Sequence, residues 1–240
     1  MYRPGLLLVL VTACVADAPD HDEASDFDPV GGWSDGKADF SGVPAVFDRN
    51  QVVSDAVFTT PAVDASGIQT FLEHSPYGNR SWLADYQVGG VPFSERVVAI
   101  AAEHGIDPVM LIVRLQVESS VVSKAATPSS STLAHATGCG CPDGGGCSST
   151  FRGFEAQLEC AAATYEKWYD ASIAGTGPWR EGHATRSLDG LTVTPRDHAT
   201  ASLYQYTPWV LPGRGGAWLT WNVTRRYLKA FDQAGTLHLP

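Results

Sequence analysis

Beyond residue 65 the apolar positions of the chain recur with a helical period. In "SERVVAIAAEHG" they share one face, with Ser94 as a suitable N-cap and Gly105 as a suitable C-terminal stop. In "IDPVMLIVRLQVESS" the expected N-cap is Asp107, and Pro108 is the expected first helical residue. Because apolar residues surround almost the whole of this second helix, we expect it to lie inside the domain.

The pattern continues with three more helices and little strand. A long third helix is predicted from near Phe154, where apolar and aromatic residues form a single stripe. A turn-rich segment follows, and its only extended stretch runs from Leu191 to Thr194. "HATASLYQYTPWV" is typical of a short helix that ends before Pro208, and "GAWLTWNVTRRYLKAFDQAG" of a closing amphipathic helix. We therefore expect a mainly α domain with at most a short β-hairpin.

The amino terminus has the pattern of a targeting segment. Arg3 precedes the apolar run "GLLLVLVTAC", which is too short to span a bilayer, so residues 1–13 are predicted to be a signal peptide. The end of the run, "VTAC", resembles the lipobox of bacterial lipoproteins, which implies cleavage before Cys14 and lipidation of its thiol. An ordinary signal peptide cut near Ala16 or Ala18 is the alternative. Both predict an exported protein of the cell envelope, and the first adds a membrane anchor.

Charge separates the amino-terminal region from the rest. The formal net charge is −10 and no cluster of Lys and Arg occurs, which argues against nucleic acid as a partner. Between Val15 and Asp39, eight acidic residues stand against the single base Lys37. Such a composition cannot bury enough apolar surface to offset the entropy of ordering. We expect residues 14–60 to be a disordered acidic tether and residues 61–240 to form the folded domain.

Four cysteines follow Cys14, all within "GCGCPDGGGCSSTFRGFEAQLEC". An even number in an exported chain predicts two disulfides. A bridge between Cys139 and Cys141 across one glycine is geometrically poor, so Cys160 is expected to pair with one of these two and Cys147 with the other. A structural zinc site is the alternative, although the spacing lacks paired C-x₂-C units. We expect no metal and no cofactor.

Glu118 stands at the end of the apolar second helix. The negative end of the helix dipole and apolar surroundings both favour the protonated form of a carboxyl group. A protonated carboxyl group can deliver a proton to the leaving oxygen in glycoside cleavage. The structural alternative is an ion pair with Arg114, four residues earlier on the same helix.

Several blocks of the chain resemble one family. "AAEHGIDPVMLIVRLQVESS" is similar to the segment of lytic transglycosylases and goose-type lysozymes that contains the Q-x-E-S element. The resemblance extends in order to "IQTFLEHSPYG" with "SWLADY", to "ATGCGCPDGGGC" with "FRGFEAQLECAA", and to "TPRDHATASLYQYTPWV" with "WLTWNVTRRYL". It covers roughly residues 66–232 and implies a lysozyme-like, transglycosylase-type helical domain.

The resemblance also implies a reaction and a set of site residues. Glu118 would be the single catalytic acid and base that cleaves peptidoglycan between N-acetylmuramic acid and N-acetylglucosamine, while the muramyl 6-hydroxyl attacks and forms a 1,6-anhydro product. Gln116 and Ser119 match the Q-x-E-S element and are expected to contact substrate. Tyr206 is expected to line the glycan groove, and Trp209 to offer a flat face to a sugar ring. We expect a monomer.

The chain departs from the family pattern directly after this element. Ser120 and Val121 stand where a glycine and an aromatic residue are usual, and the cysteine-bearing loop occupies the place of a G-L-M-Q element. Two further functions therefore stay open. One is a wall-glycan-binding lipoprotein without activity, and the other is a hydrolytic lysozyme or glucosaminidase, which would require a second carboxylate.

Overall fold

A mainly α architecture, as the apolar periodicity predicts, is present in the computed structural model, which describes Phe40, residues 42–142 and residues 145–239. These residues form eight α-helices and two short hairpins. The helices are α1 (Asp55–Thr59), α2 (Ala65–Glu73), α3 (Phe93–Glu103), α4 (Pro108–Ser119), α5 (Ser130–Ala134), α6 (Phe154–Ile173), α7 (His198–Tyr206) and α8 (Gly216–Gln233).

Helix α4 forms the centre of the core. Its residues from Pro108 to Gln116 are all buried, and α3, α6 and α8 pack around it. Its N-cap is Asp107, whose side chain accepts hydrogen bonds from the Val109 amide and the Ala62 amide, both at 2.6 Å. The predicted cap, the proline at the first position and the interior location are therefore confirmed.

Helix α3 begins differently from the prediction. Its first residue is the buried Phe93, so Ser94 lies inside the helix and is not its N-cap. The Ser94 hydroxyl donates instead to the Gln69 side-chain oxygen at 3.0 Å, which ties α3 to α2. Gly105 has a φ of +62° just beyond the helix, and the predicted C-terminal stop is confirmed.

The strands form two antiparallel pairs among the described residues. They are β1 (Gln87–Val88) with β2 (Val91–Pro92), and β3 (Thr185–Arg186) with β4 (Thr192–Val193). The second pair confirms the extended stretch expected at Leu191–Thr194. The first pair was not predicted, although Gly89 and Gly90, both with positive φ, form the two-residue turn typical of a hairpin.

The folded domain begins earlier than expected. Val52, Val53 and Phe58 are buried, and the Val52 amide donates to the Thr200 hydroxyl at 2.9 Å. The tether prediction is therefore wrong for residues 42–60, because the partners of this segment lie on α6, α7 and α8 and are invisible to local composition. The predicted signal peptide and Cys14 lie outside the described residues. Within the described ranges, no helix is long and apolar enough to cross a membrane.

Candidate functional site

The candidate site lies where α4 reaches the surface. Helix α4 is buried as far as Gln116, whereas the Glu118 side chain, in the last helical turn, is 27% exposed. The helix then ends at Ser120, whose φ of +53° lies in the left-handed region and turns the chain away. The buried helix α4 thus ends with the Glu118 carboxylate in contact with solvent.

The Glu118 carboxylate is held by a buried arginine. Arg114, with a side chain only 6% exposed, lies one turn earlier and places Nη2 2.8 Å from the Glu118 Oε1 atom. Its Nη1 donates to the Thr207 hydroxyl at 2.6 Å and its Nε to the Thr137 carbonyl at 3.3 Å. Its guanidinium carbon lies 3.5 Å from the centroid of the Tyr206 ring. The ion pair with Arg114, which the sequence allowed as the structural alternative, is therefore present.

A glycine lies against the Glu118 carboxylate on the side of Oε2, the oxygen that Arg114 does not bind, and forms one wall of the site. Gly138 has a φ of +69°, and a Cβ atom at this position would lie 2.9 Å from the Glu118 Oε2 atom. Both its backbone conformation and its lack of a side chain are therefore required. Arg114 holds Oε1 on one side, and Oε2 faces Gly138 on the other.

The loop that carries Gly138 is fixed by Gln157 of α6. This side chain is fully buried. Its Oε1 accepts from the amides of Thr137 and Cys139 at 3.2 Å, and its Nε2 donates to the carbonyls of Cys139 and Phe151 at 2.9 and 2.6 Å. One amide side chain therefore holds the backbone on both sides of Gly138.

The residues that flank Glu118 point into the protein. The Gln116 amide accepts from the Ser123 backbone N–H at 3.0 Å and donates to the Ser123 hydroxyl at 3.3 Å. The Ser119 hydroxyl donates to the Ala136 carbonyl at 2.7 Å. The polar groups of Gln116 and Ser119 thus have internal partners, and their contact with substrate stays a prediction. They position the helix end that carries Glu118.

Tyr206 and Trp209 occupy different surroundings. The Tyr206 hydroxyl donates to the Thr137 carbonyl at 3.1 Å, and its ring centroid lies 5.2 Å from that of the buried Tyr165. Burial raises the pKa of the Tyr206 hydroxyl. Tyr206 therefore packs against Arg114 of the ion pair and is partly exposed, and its place in a glycan groove stays a prediction. Trp209 is partly exposed, and its carbonyl accepts from the Ala217 amide at the start of α8.

The four cysteines form two pairs at disulfide distance. The sulfur atoms of Cys139 and Cys160 are 1.91 Å apart, and those of Cys141 and Cys147 are 2.12 Å apart. The two expected disulfides are present. The sequence left Cys139 and Cys141 open as partners of Cys160, and the structure pairs Cys160 with Cys139. The first pair joins the Gly138 loop to α6, and the second closes a small surface loop.

One group of side chains has the composition of a metal site. The ligand atoms of His135, Cys141 and Cys147 lie within 4.8 Å of one another. Metals bind the thiolate form of cysteine, and these two sulfur atoms are at disulfide distance from each other. The zinc alternative would therefore require reduction of this pair.

A serine, a histidine and a glutamate also lie close together at the first residue of α7. The Ser172 hydroxyl lies 2.9 Å from the His198 Nδ1 atom, and His198 Nε2 lies 3.2 Å from the Glu181 carboxylate. Ser172 is 4% exposed and accepts a hydrogen bond from the Glu181 amide. A nucleophile must reach its substrate, so this cluster links α6 to α7 and carries no hydrolytic site.

An open depression of about 610 Å³ lies away from the residues predicted for glycan binding. None of the five residues expected to contact or cleave substrate lines it. Its charged rim is internally paired, because Arg196 binds Asp48 at 2.9 Å and Arg49 donates to the Thr192 carbonyl. The depression therefore does not compete with the Glu118 region as the candidate site.

Sequence reasoning missed several residues that build the site, namely Thr137, Gly138, Gln157 and Thr207. The "ATGCGC" stretch did carry a signal, since closely spaced glycines favour a close backbone approach. Gln157 and Thr207 gave none, because their partners are distant in sequence. No protein-family model, no curated protein and no solved structure matches this chain.

Proposed function

We propose that this chain is a lysozyme-like, lytic transglycosylase-type enzyme that cleaves peptidoglycan glycan strands, with Glu118 as its general acid and base. One observation carries the proposal. In the last turns of α4 the side chains of Gln116 and Ser119 are bonded inside the protein, whereas the Glu118 carboxylate reaches solvent. The Q-x-E-S element thus forms a helix end that is bonded to the protein interior and presents one carboxylate to solvent, and this supports the proposal.

The two oxygens of Glu118 suit different tasks. Oε1 is bound by Arg114, which fixes the orientation of the group, and Oε2 faces Gly138 and is the oxygen proposed to carry the proton. A glycan strand that covers the partly exposed carboxylate would bring its bridging oxygen to the Oε2 side.

The proposed reaction needs only one carboxyl group. Protonated Glu118 delivers its proton to the bridging oxygen as the glycosidic bond breaks. The carboxylate that remains accepts the proton of the muramyl 6-hydroxyl as that oxygen bonds to the anomeric carbon. Arg114 stabilises this carboxylate and so supports the second step. The 1,6-anhydro product forms, and Glu118 is again protonated.

Other residues have supporting roles in this proposal. Tyr206 acts through Arg114, whose guanidinium it stacks against, and is a positioning residue. Trp209 is partly exposed and offers an aromatic face to a pyranose ring. The partner is the peptidoglycan strand, and the enzyme acts as a monomer without metal or cofactor.

A second candidate is a module that binds wall glycan without cleaving it. The Arg114–Glu118 ion pair supports this alternative, because a carboxylate accepts hydrogen bonds from sugar hydroxyls but donates none. A hydrolytic lysozyme or glucosaminidase is the third outcome that the experiment below separates.

The decisive experiment incubates the mature protein with purified sacculi and identifies the released fragments by mass spectrometry. Anhydro ends support the proposal, reducing ends indicate hydrolysis, and sedimentation with sacculi without release indicates a binding module. Glu118→Gln is expected to lower the cleavage rate at least about a hundredfold. Glu95→Gln, at an exposed acid in the first turn of α3, is the matched control and should retain activity. Full activity of Glu118→Gln would disprove the assignment.

We also propose that the protein is exported and lipid-anchored through Cys14. The support is the short apolar run that ends in "VTAC". Mass spectrometry of the mature amino terminus should find a diacylated Cys14, and Cys14→Ser should release the protein from the membrane fraction. An unmodified terminus near Ala16 or Ala18 would establish the ordinary signal peptide instead.

A further inference from the structure

The two disulfides differ sharply in their surroundings. Cys139 and Cys160 are 6% and 8% exposed, and the backbone of Cys139 is held by Gln157. In the other pair Cys147 is exposed and Cys141 is half-buried. An external thiol can therefore reach the second pair without unfolding the domain.

A histidine adjoins the accessible pair: the ligand atoms of His135, Cys141 and Cys147 lie within 4.8 Å of one another, and the ring nitrogen is within hydrogen-bonding distance of the Cys141 sulfur. The His135 Nδ1 atom lies 3.6 Å from the Cys141 sulfur. A ring N–H or an imidazolium at this distance stabilises a thiolate, and a stabilised thiolate is the better leaving group in thiol–disulfide exchange. The two sulfurs therefore have different roles. The exposed Cys147 sulfur is the one that an external thiolate attacks, and the Cys141 thiolate is the leaving group.

We propose that the Cys141–Cys147 pair is a thiol–disulfide exchange site for an external dithiol. A thiolate of the dithiol attacks the Cys147 sulfur, a new S–S bond forms, and the Cys141–Cys147 bond breaks with its electron pair left on Cys141. His135 donates a hydrogen bond to that thiolate. The second thiol of the reductant then attacks the mixed disulfide and releases Cys147, which takes a proton from solvent. The protein disulfide is reduced by two electrons, and the dithiol is oxidised to a disulfide.

The exchange site is connected to Glu118 through the backbone. The Cys141 amide donates to the Gly138 carbonyl at 3.2 Å, and Gly138 forms one wall of the Glu118 carboxylate. Opening of the second pair therefore removes a restraint three residues from this wall. The exchange chemistry itself does not depend on glycan cleavage and is tested without it.

The test treats the native, full-length protein with dithiothreitol, blocks free thiols with N-ethylmaleimide at timed intervals and locates the label by mass spectrometry. Cys141 and Cys147 should be labelled on the order of tenfold or more faster than Cys139 and Cys160. In a parallel reaction with glutathione, which has one thiol, the trapped mixed disulfide should be on Cys147. Equal labelling of the two pairs, or glutathione found mainly on Cys141, overturns the proposal.

The role of His135 is tested by substitution. His135→Asn should slow reduction of Cys141–Cys147 several-fold and reduce the preference of glutathione for Cys147, because the Cys141 thiolate loses its neighbouring ring. His183→Asn, at an exposed histidine after α6, should leave both unchanged. If the two variants react at the same rate, His135 has no part in the exchange. The wild-type labelling experiment remains decisive if His135→Asn fails to fold.

Discussion

Arg114 donates to the Glu118 carboxylate at 2.8 Å and lies 3.5 Å from the centroid of the Tyr206 ring. The same guanidinium binds the Thr207 hydroxyl and the Thr137 carbonyl. One buried cation therefore joins the end of α4 to the end of α7 and to the Gly138 loop. The position of the carboxylate is set by all three segments, so substitutions in any of them should affect it.

Arg114→Leu is expected to lower the free energy of unfolding by about 2–4 kcal/mol, because the Thr207 hydroxyl loses its buried donor and the Thr137 carbonyl keeps the Tyr206 hydroxyl but loses the guanidinium. Glu118→Gln alone should cost less than about 1 kcal/mol, since water screens its partly exposed ion pair. Urea unfolding of both single variants and the double variant measures the coupling. We expect at least about 0.5 kcal/mol, and strictly additive costs would show that the pair contributes nothing.

Two glycines with almost the same backbone form a matched pair. Gly138 and Gly175 have φ of +69° and +67°, but only a Cβ at Gly138 would approach another group, the Glu118 Oε2 atom at 2.9 Å. Alanine at either position should destabilise the fold by about 1–2 kcal/mol through the backbone. Gly138→Ala should in addition displace the carboxylate and reduce release of glycan fragments from sacculi, whereas Gly175→Ala should not. Equal activity of the two variants would contradict a tight wall at Gly138.

Gln157→Leu should destabilise the domain by about 2–4 kcal/mol, because several backbone groups around Cys139 and Phe151 lose their buried partner. Gln205→Leu is the control, since the Gln205 Oε1 atom is buried and has no hydrogen-bond partner within the described part of the chain. Chemical unfolding followed by circular dichroism should show a much smaller loss for Gln205→Leu. If both variants lose the same stability, the Gln157 network is not what holds the loop.

The stability of the domain should depend on pH through Asp107. Burial raises the pKa of Asp107 to about 7, against the lowering effect of hydrogen bonds from the Val109 and Ala62 amides. Between about pH 4 and 7 the native state thus holds a proton that the unfolded chain has released. The free energy of unfolding should therefore fall, by about 1–3 kcal/mol, as pH rises through this window. Urea unfolding at a series of pH values measures the fall.

Other acids modify this dependence in known directions. Burial raises the pKa of Asp197 to about 6, so Asp197 contributes in the same direction. The pKa of Asp189 is lowered because hydrogen bonds from the Val210 and Leu211 amides outweigh its desolvation, so its contribution is lost only at more acidic pH. Asp107→Asn should flatten the curve between about pH 4 and 7. Asp64→Asn, at the exposed N-cap of α2, should leave the slope intact, and an unchanged slope in Asp107→Asn would refute the assignment.

Features encoded within a few residues were predictable from the sequence. Asp107 and Pro108 form a cap and a first helical position that need no distant partner, and the helix begins where they predict. The order of cysteines excluded one pairing for geometric reasons, and the remaining choice between Cys139 and Cys141 depended on where α6 lies against the loop. Ser94 shows the limit of local rules, since burial of Phe93 starts α3 before the better capping residue.

Features that depend on distant partners were not predictable. The surroundings of Glu118 come from Thr137 and Thr207, and the Arg114 pair could be named only as an alternative because helical spacing permits a contact without establishing it. The disordered tether was predicted to extend as far as residue 60 for the same reason. Residues 42–60 contact α6, α7 and α8, and the composition of the amino-terminal segment alone does not reveal these partners.

The amino-terminal segment and α7 also determine when the domain can close. Val52 bonds Thr200, which lies 148 positions later, and Asp55 accepts from the Ala199 amide across 144 positions. During synthesis, Val52 and Phe58 emerge long before the residues that bury them. Because contacts of such high sequence separation form slowly, assembly of this seam should be a late step of folding. A chain that begins at residue 61 would leave α7 uncovered and should be prone to aggregation.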